Sequence, residues 1–298
     1  MADLPRRDAL GLAGAAVLAP PAFATEPAEP VLMRAIPSTG EKLPAVGLGT
    51  ARVFDNDDAE TDRAALAVIQ TLVRAGGRLI DTASTYGDAE SVIGKAVAEA
   101  KLRAKLFIAT KLEEPNESEL RRSLTRLQTA TIDVLQLHNV SDPKQSLAAF
   151  RAWKEQGICR YIGVTSTFHG DFPAVESVLA RERPDFVQID YSITDRAAEQ
   201  RILPLAAEVK AAVLVALPLG RGRLLRKVRG KALPDWAKPF AASWAQFFLK
   251  WVLADERVTA VIPGTANAAH MADNLGALRG RLPDAAERAR MVQFVESL

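Results

Sequence analysis

The chain has 298 residues, of which 48% are hydrophobic and 25% charged, and its formal net charge is +2 at pH 7. That length allows one large or two small domains with a sizeable core, and the mixed charges create no global field that would attract nucleic acid or a membrane. The single cysteine, Cys159, excludes an intramolecular disulfide, and three histidines are too few for a histidine-cluster metal site. We expect a monomer whose partner is a small molecule, with no metal.

The first 24 residues differ from the rest of the chain. Arg6 and Arg7 precede an apolar, alanine-rich run over residues 9–17, and Ala22-Phe23-Ala24 has the small-x-small pattern of a signal-peptidase site. This order resembles a twin-arginine export signal and predicts a periplasmic protein without a stable membrane anchor, because the run is too short to span a bilayer. The alternative is an N-terminal helix with two surface arginines in a cytoplasmic protein. Residues 25–30 (TEPAEP) are predicted to be a linker.

From residue 31 onward, short apolar segments alternate with segments of helical periodicity. The predicted strands are residues 45–49, 78–82, 106–110, 133–137, 161–165, 186–190, 212–216 and 259–262. The predicted helices are residues 62–75, 89–100, 117–127, 146–155, 172–180, 197–209, 241–253 and 285–297. Eight β–α units in one chain of this length indicate an α/β fold, a (β/α)8 TIM barrel over residues 31–298. Two short apolar runs around Ser38-Thr39-Gly40-Glu41 predict a β-hairpin that closes the bottom of the barrel.

Polar residues follow several predicted strands at their carboxyl ends, where barrel enzymes place their active sites. Asp81, Lys111 and His138 lie at such ends, and Tyr86 lies on the loop after Asp81. Reduction of a carbonyl by hydride creates an alkoxide that needs a proton, which a tyrosine hydroxyl can supply. Lys111 would favour release of that proton, Asp81 would hold Lys111, and His138 would orient the substrate oxygen. Singly, each residue could be structural, such as a core histidine; together they predict a catalytic set.

The chain resembles the aldo-keto reductase family from about Val46 to Leu275. The motifs that carry the resemblance are VGLGT at 46–50, LIDTASTYG at 79–87, FIATK at 107–111, DVLQLHN at 133–139, YIGVTS at 161–166, PLGRG at 218–222 and VIPGT at 261–265. The family's catalytic tetrad falls on Asp81, Tyr86, Lys111 and His138. The resemblance implies reduction of aldehydes or ketones with a nicotinamide cofactor bound across the barrel mouth.

The resemblance also implies positions for the cofactor. The nicotinamide carboxamide contacts fall on Ser166 and Gln188, the pyrophosphate contacts on Leu219, Gly220, Arg221 and Gly222, and the adenine-side contacts on Thr265, Asp273 and Asn274. NADPH is the family's usual cofactor, but His270 stands where an arginine is common, so NADH is also an expected cofactor.

Two other functions remain open from the sequence alone. One is a cofactor-binding regulatory or interaction barrel with little turnover. The other is a lyase or isomerase that uses Lys111 as a Schiff-base amine, although Asp81 and Tyr86 would then lack a clear role. The intact set of four residues favours the reductase.

Overall fold

The computed structural model describes residues 30–298. The predicted signal peptide at 1–24 and the predicted linker, apart from Pro30, lie outside the described residues. The first element among these residues is an antiparallel hairpin of β1 (Met33–Ala35) and β2 (Lys42–Pro44). No helix in the described part of the chain is long and apolar enough to cross a membrane.

Eight parallel strands follow the hairpin, and each is hydrogen-bonded to its neighbour in chain order. They are β3 (Leu48–Gly49), β4 (Leu79–Asp81), β5 (Phe107–Leu112), β6 (Ile132–Leu137), β7 (Cys159–Ser166), β8 (Phe186–Asp190), β9 (Ala212–Ala216) and β10 (Ala260–Val261). Parallel bridges from Val46 to Val261 and from Gly49 to Gly264 join the last strand to the first. The predicted (β/α)8 barrel is therefore confirmed.

The seam between β3 and β10 depends on glycine. A Cβ atom on Gly49 would lie 2.5 Å from the carbonyl oxygen of Ile262. Only a residue without a side chain lets the two backbones approach this closely, so Gly49 of the VGLGT motif allows the barrel to close.

Ten α-helices surround the sheet within the described residues. They are α1 (Ala59–Arg74), α2 (Ala89–Glu99), α3 (Glu117–Arg126), α4 (Ala148–Glu155), α5 (Phe172–Glu182), α6 (Ile202–Val209), α7 (Arg223–Lys227), α8 (Trp244–Leu253), α9 (Ala268–Gly276) and α10 (Ala285–Glu296). Helices α7 and α9 were not predicted from the sequence. The predicted helix over residues 197–209 starts too early, because residues 197–199 form a separate 3-10 turn before α6.

The hairpin packs against the amino-terminal end of the barrel. Ile36 and Leu43 are fully buried in one cluster with Phe107, Tyr161 and Phe186, which lie inside the barrel. At the edge of this cluster the Tyr161 hydroxyl donates to Oε2 of Glu41 over 2.7 Å. The hairpin thus closes the bottom of the barrel, as predicted, and leaves the opposite end open.

Candidate active site

A cavity of about 840 Å³ lies at the carboxyl ends of the barrel strands. Asp81, Tyr86 and His138 line it, while the side chain of Lys111 is fully enclosed behind them. The four residues come from β4, the loop after β4, β5 and the end of β6, and the closed barrel brings these ends together. The structure therefore gathers the complete predicted catalytic set at one site.

Lys111 and Asp81 form a buried ion pair. Nζ of Lys111 donates to Oδ1 of Asp81 over 2.7 Å and to the carbonyl oxygen of Thr82 over 2.6 Å. Burial alone would lower the pKa of Lys111, but Asp81 and Tyr86 raise it above its ordinary value. The amine is charged and held by two acceptors, which argues against the Schiff-base function considered from the sequence.

Two glutamines complete the surroundings of Asp81. Nε2 of Gln188 donates to Oδ1 of Asp81 over 3.2 Å, and Nε2 of Gln136 donates to Oδ2 over 3.3 Å. Gln136 also donates to Oε1 of Gln188 over 2.9 Å. Burial raises the pKa of Asp81, and Lys111 and the two amides oppose that rise. Because every one of these contacts is a donor, Asp81 acts as an ionised acceptor.

Tyr86 lies between the charged amine and the histidine. Nζ of Lys111 is 4.8 Å from the centre of the Tyr86 ring, and the rings of Tyr86 and His138 meet edge-on with centres 5.8 Å apart. Tyr86 is half-buried and faces the cavity. The ammonium of Lys111 is therefore placed to stabilise negative charge that develops on the Tyr86 oxygen during proton donation.

His138 is held in an unusual environment. Burial and the charge of Lys111 lower its pKa to about 4, and Glu113 acts in the other direction. Nδ1 of His138 lies 2.6 Å from Oε1 of Glu113. The neighbouring Asn139 donates from Nδ2 to both carboxylate oxygens of Glu113, at 3.2 Å each. Glu113 was not identified from the sequence.

The structure separates the two residues predicted for the carboxamide of the cofactor. Gln188 lines the cavity, but Ser166 does not, because its hydroxyl turns away and donates to Oδ2 of Asp171 over 2.7 Å. Thr165 lines the cavity instead, and it is paired with Gln188 in the sheet register. Neighbouring residues of a strand point to opposite faces, so only one of Thr165 and Ser166 can face the cavity.

The loop after β9 reaches the same cavity. Leu219, Arg221 and Gly222 line it, and Gly220 lies buried between them. Arg221 has a φ of 54° and Gly222 a φ of 76°, so the backbone passes through left-handed conformations here. Consecutive turns of this kind expose N–H groups, which together with a guanidinium suit a phosphate group.

The residues predicted for the adenine side do not line the cavity. Gly264 lines the cavity, but Thr265, Asp273 and Asn274 do not. Oδ1 of Asp273 accepts from Gln246 over 2.8 Å, and Asn274 is buried in α9. Their predicted contacts with adenine remain a prediction.

Several cavity residues were missed by the sequence analysis. They include Ala51, Arg52 and Asp55 after β3, Asn139 after β6 and Phe168 after β7. Phe168 is an exposed aromatic side chain, 58% accessible, which gives the cavity an apolar wall. Their positions just beyond strand ends were the available signal, but nothing in the residue types marks them.

A second group of titratable residues lies beyond β8. Nε2 of His169 is 3.0 Å from Oδ2 of Asp195, and Asp190 offers a carboxylate oxygen within 4.8 Å of both side chains. Burial and Asp195 raise the pKa of Asp190 to about 6, while His169, Arg221 and Arg223 act against the rise. The two nearby arginines disfavour a cation at this position.

The family comparison agrees with this geometry. The model of the aldo/keto reductase family matches residues 45–293. The chain belongs to the aldo/keto reductase family.

Individual relatives cover most of the chain. It is 29% identical over 255 residues to the methylglyoxal reductase YeaE of Escherichia coli, covering 82% of this chain and 88% of that protein. It is 31% identical over 249 residues to an aldo-keto reductase of Mycolicibacterium smegmatis, covering 78% of this chain and 81% of the relative. A crystal structure of an aldo-keto reductase from Klebsiella pneumoniae in complex with NADPH has the same fold, with a TM-score of 0.74, 24% identity and coverage of 89% and 95% of the two chains.

Proposed function

We propose that this aldo-keto reductase reduces aldehydes or ketones to alcohols with NADPH, and that NADH is a second cofactor to be tested. The observation that carries the proposal is the convergence of Tyr86, Asp81 and His138 on the cavity, with the ammonium of Lys111 enclosed directly behind them. These are the groups that protonate an alkoxide and stabilise the charge that develops in that step.

The cavity residues fit a dinucleotide cofactor. Thr165 and Gln188 offer a hydroxyl and an amide for the carboxamide, and Leu219, Arg221 and Gly222 offer backbone N–H groups and a guanidinium for the pyrophosphate. A cavity of about 840 Å³ also leaves room for a small substrate beside these residues. When bound, the cofactor would supply the hydride.

The protein's own residues would supply the proton and hold the charges. Tyr86 donates its hydroxyl proton to the substrate oxygen, and Lys111, fixed by Asp81 and Thr82, stabilises the tyrosinate left behind. His138 orients the substrate oxygen through a ring nitrogen. Phe168 and the backbone after β3 would border the substrate.

The test compares Tyr86→Phe with the wild type. The variant should lose about 10²–10⁴-fold in kcat for carbonyl reduction, because it lacks the proton donor, while its affinity for the cofactor stays nearly unchanged. Initial rates are measured by consumption of NADPH and NADH over aldehydes, ketones and quinones, with a 2-oxoaldehyde such as methylglyoxal first, since one relative is named for that activity. Tyr161→Phe, at the closed end of the barrel, is the matched control.

Three possible results would lead to different conclusions about the function. Retention of most activity in Tyr86→Phe would refute the catalytic assignment. Cofactor binding by the wild type without turnover on any carbonyl class would favour the regulatory barrel instead. Loss of activity in both Tyr86→Phe and Tyr161→Phe would point to a general effect on folding.

We further propose that the protein is exported to the periplasm through the twin-arginine route. Support comes from the ordered series of Arg6-Arg7, the apolar run over residues 9–17 and the cleavage pattern at Ala22-Phe23-Ala24. This route carries folded proteins, which suits an enzyme that takes up its cofactor in the cytoplasm.

A further inference from the structure

Glu113 stands one residue past the end of β5 and connects three loops of the active-site mouth. Oε1 of Glu113 accepts from Oγ1 of Thr85 over 3.3 Å, and both of its carboxylate oxygens accept from Nδ2 of Asn139. Thr85 directly precedes Tyr86, and Asn139 directly follows His138. The carboxylate is therefore fixed from two sides before its contact with His138 is considered.

Asn139 has a backbone suited to this task. Its φ is 50°, in the left-handed region that asparagine tolerates better than most residues. The backbone N–H of His138 donates to the carbonyl oxygen of Leu112 over 2.8 Å, which holds the end of β6 against the end of β5. The ends of β5 and β6 are thereby held together where Glu113 and His138 meet.

The contact between Glu113 and His138 requires a proton. Nδ1 of His138 is enclosed by protein and makes no regular hydrogen bond within the described residues, yet Oε1 of Glu113 is only 2.6 Å away. A carboxylate oxygen and an unprotonated ring nitrogen would repel each other at that distance, so Nδ1 carries a proton, although the angle of the contact is not that of a regular hydrogen bond.

We propose that Glu113 and His138 form one proton-sharing unit, which determines whether the other ring nitrogen of His138 can donate to the substrate oxygen. Glu113 acts here as a positioning residue, because it works through His138 and not on the substrate. Only the kinetic consequence of this inference rests on the proposed carbonyl reduction.

Two protonation states of the unit matter, one with a single proton and one with two. With one proton, Nδ1 of His138 holds it against Glu113, and Nε2 has a lone pair that cannot donate to a carbonyl oxygen. With a second proton, taken from solvent, Nε2 also carries hydrogen and can donate. Reduction is therefore supported by the form with two protons and alcohol binding by the form with one.

The neighbouring charges decide which form prevails. Lys111 from β5 and the ring of Tyr86 from the loop after β4 face His138, and burial together with Lys111 disfavours the second proton. Asp81 is paired with Lys111, and Glu119 of α3 accepts a hydrogen bond from the hydroxyl of Ser84. Glu113 is thus the acid that acts on His138, and the population with two protons grows as the pH falls.

Glu113→Gln separates the two states. The amide of the glutamine can accept from Asn139 and donate to Nδ1 of a neutral His138, which moves the ring proton to Nε2 at every pH where the ring is neutral. Glu114→Gln is the matched control, because it removes the same charge from the adjacent, exposed position.

The first measurement is the tautomer itself. The chain has three histidines, His138, His169 and His270, so their ring ¹⁵N signals can be resolved and assigned with His138→Gln. At neutral pH we expect the wild type and Glu114→Gln to carry the proton on Nδ1 of His138, and Glu113→Gln to carry it on Nε2. A wild type that already carries it on Nε2 would overturn the proposal.

The second measurement is the pH profile of kcat/KM for carbonyl reduction. In the wild type and in Glu114→Gln it should rise as the pH falls from about 8 to about 5, by up to about tenfold per unit, whereas Glu113→Gln should be nearly flat. Identical profiles for wild type and Glu113→Gln would refute the inference. If the wild type reduces no carbonyl, the proposed function fails, and the ¹⁵N spectra still test the proton-sharing unit by themselves.

Discussion

Replacing Lys111 with methionine tests the physical basis of the site, because it removes one charge from a pair that is closed to solvent. The Lys111 side chain has no accessible surface and that of Asp81 has 3%. Methionine matches the length of the lysine stem, so the change is mainly one of charge. Breaking a buried pair in this way leaves an uncompensated carboxylate, and the expected loss in the free energy of unfolding is about 3–5 kcal/mol.

The loss should depend on pH in a defined direction. Burial already raises the pKa of Asp81, and Lys111 holds that rise in check. Without Lys111 the pKa of Asp81 in the folded state rises further above its unfolded value. A carboxyl group of this kind stabilises the fold below its unfolded pKa, and that contribution is lost as the pH rises through the folded pKa. The deficit of Lys111→Met should thus be largest at high pH and shrink as the pH falls toward 5.

Urea unfolding of four proteins measures the effect: wild type, Lys111→Met, Asp81→Asn and the double variant. Since the double variant buries no lone charge, it should lose less stability than the two single variants combined. Lys42→Met, at an exposed position on β2, controls for the removal of a lysine. Additive single effects, or a deficit that does not change with pH, would refute the account of Lys111 and Asp81 as a mutually dependent pair.

Two other perturbations address the rest of the chain. Because Asp190 has a pKa raised to about 6 from an ordinary 3.8, its stabilising contribution is complete below the lower value and is lost as the pH rises through the higher one. As the pH rises from about 4 to about 7, the free energy of unfolding of Asp190→Asn should therefore increase relative to that of the wild type by about 1 kcal/mol, after allowance for solvent screening. Urea unfolding measures this difference, and a difference that stays constant with pH would contradict the prediction. Arg6→Lys with Arg7→Lys should retain an uncleaved precursor in the cytoplasm, while the wild type is recovered by fractionation as a periplasmic form that begins at Thr25. A wild type found only as a cytoplasmic form beginning at Met1 would show that the segment is not an export signal.

The strands were predicted better than the helices, for a physical reason. β8 (Phe186–Asp190) and β9 (Ala212–Ala216) were predicted with their observed bounds, because each is a short, mostly apolar segment in a sheet buried on both faces. α7 (Arg223–Lys227) has only five residues and is rich in basic side chains, so it has little apolar periodicity. The start of α9 (Ala268–Gly276) is marked by its N-cap, Asn267, whose side chain accepts from two backbone N–H groups. Hydrophobic periodicity does not detect a cap of this kind.

The site was predictable where it depends on strand ends and unpredictable where it depends on side-chain direction. Asp81, Lys111 and His138 could be placed together because the carboxyl ends of parallel strands meet at one mouth. The choice between Thr165 and Ser166 depends on the register of β7 with β8, and a shift of one residue reverses which of them faces the cavity.

Gln136 shows how far the catalytic unit extends beyond the four predicted residues. It lies within the apolar strand β6, is fully buried, and donates through one amide nitrogen to both Asp81 and Gln188. A buried amide is costly unless its hydrogen bonds are made, so its presence in such a strand was itself a signal of a polar partner. Because Gln188 also donates to Asp81, the residue proposed to hold the cofactor carboxamide and the residue that holds Lys111 belong to one hydrogen-bond network. A rotation of the Gln188 amide would break its bond to Asp81, so the carboxylate that holds Lys111 is linked by hydrogen bonds to the cofactor side of the cavity.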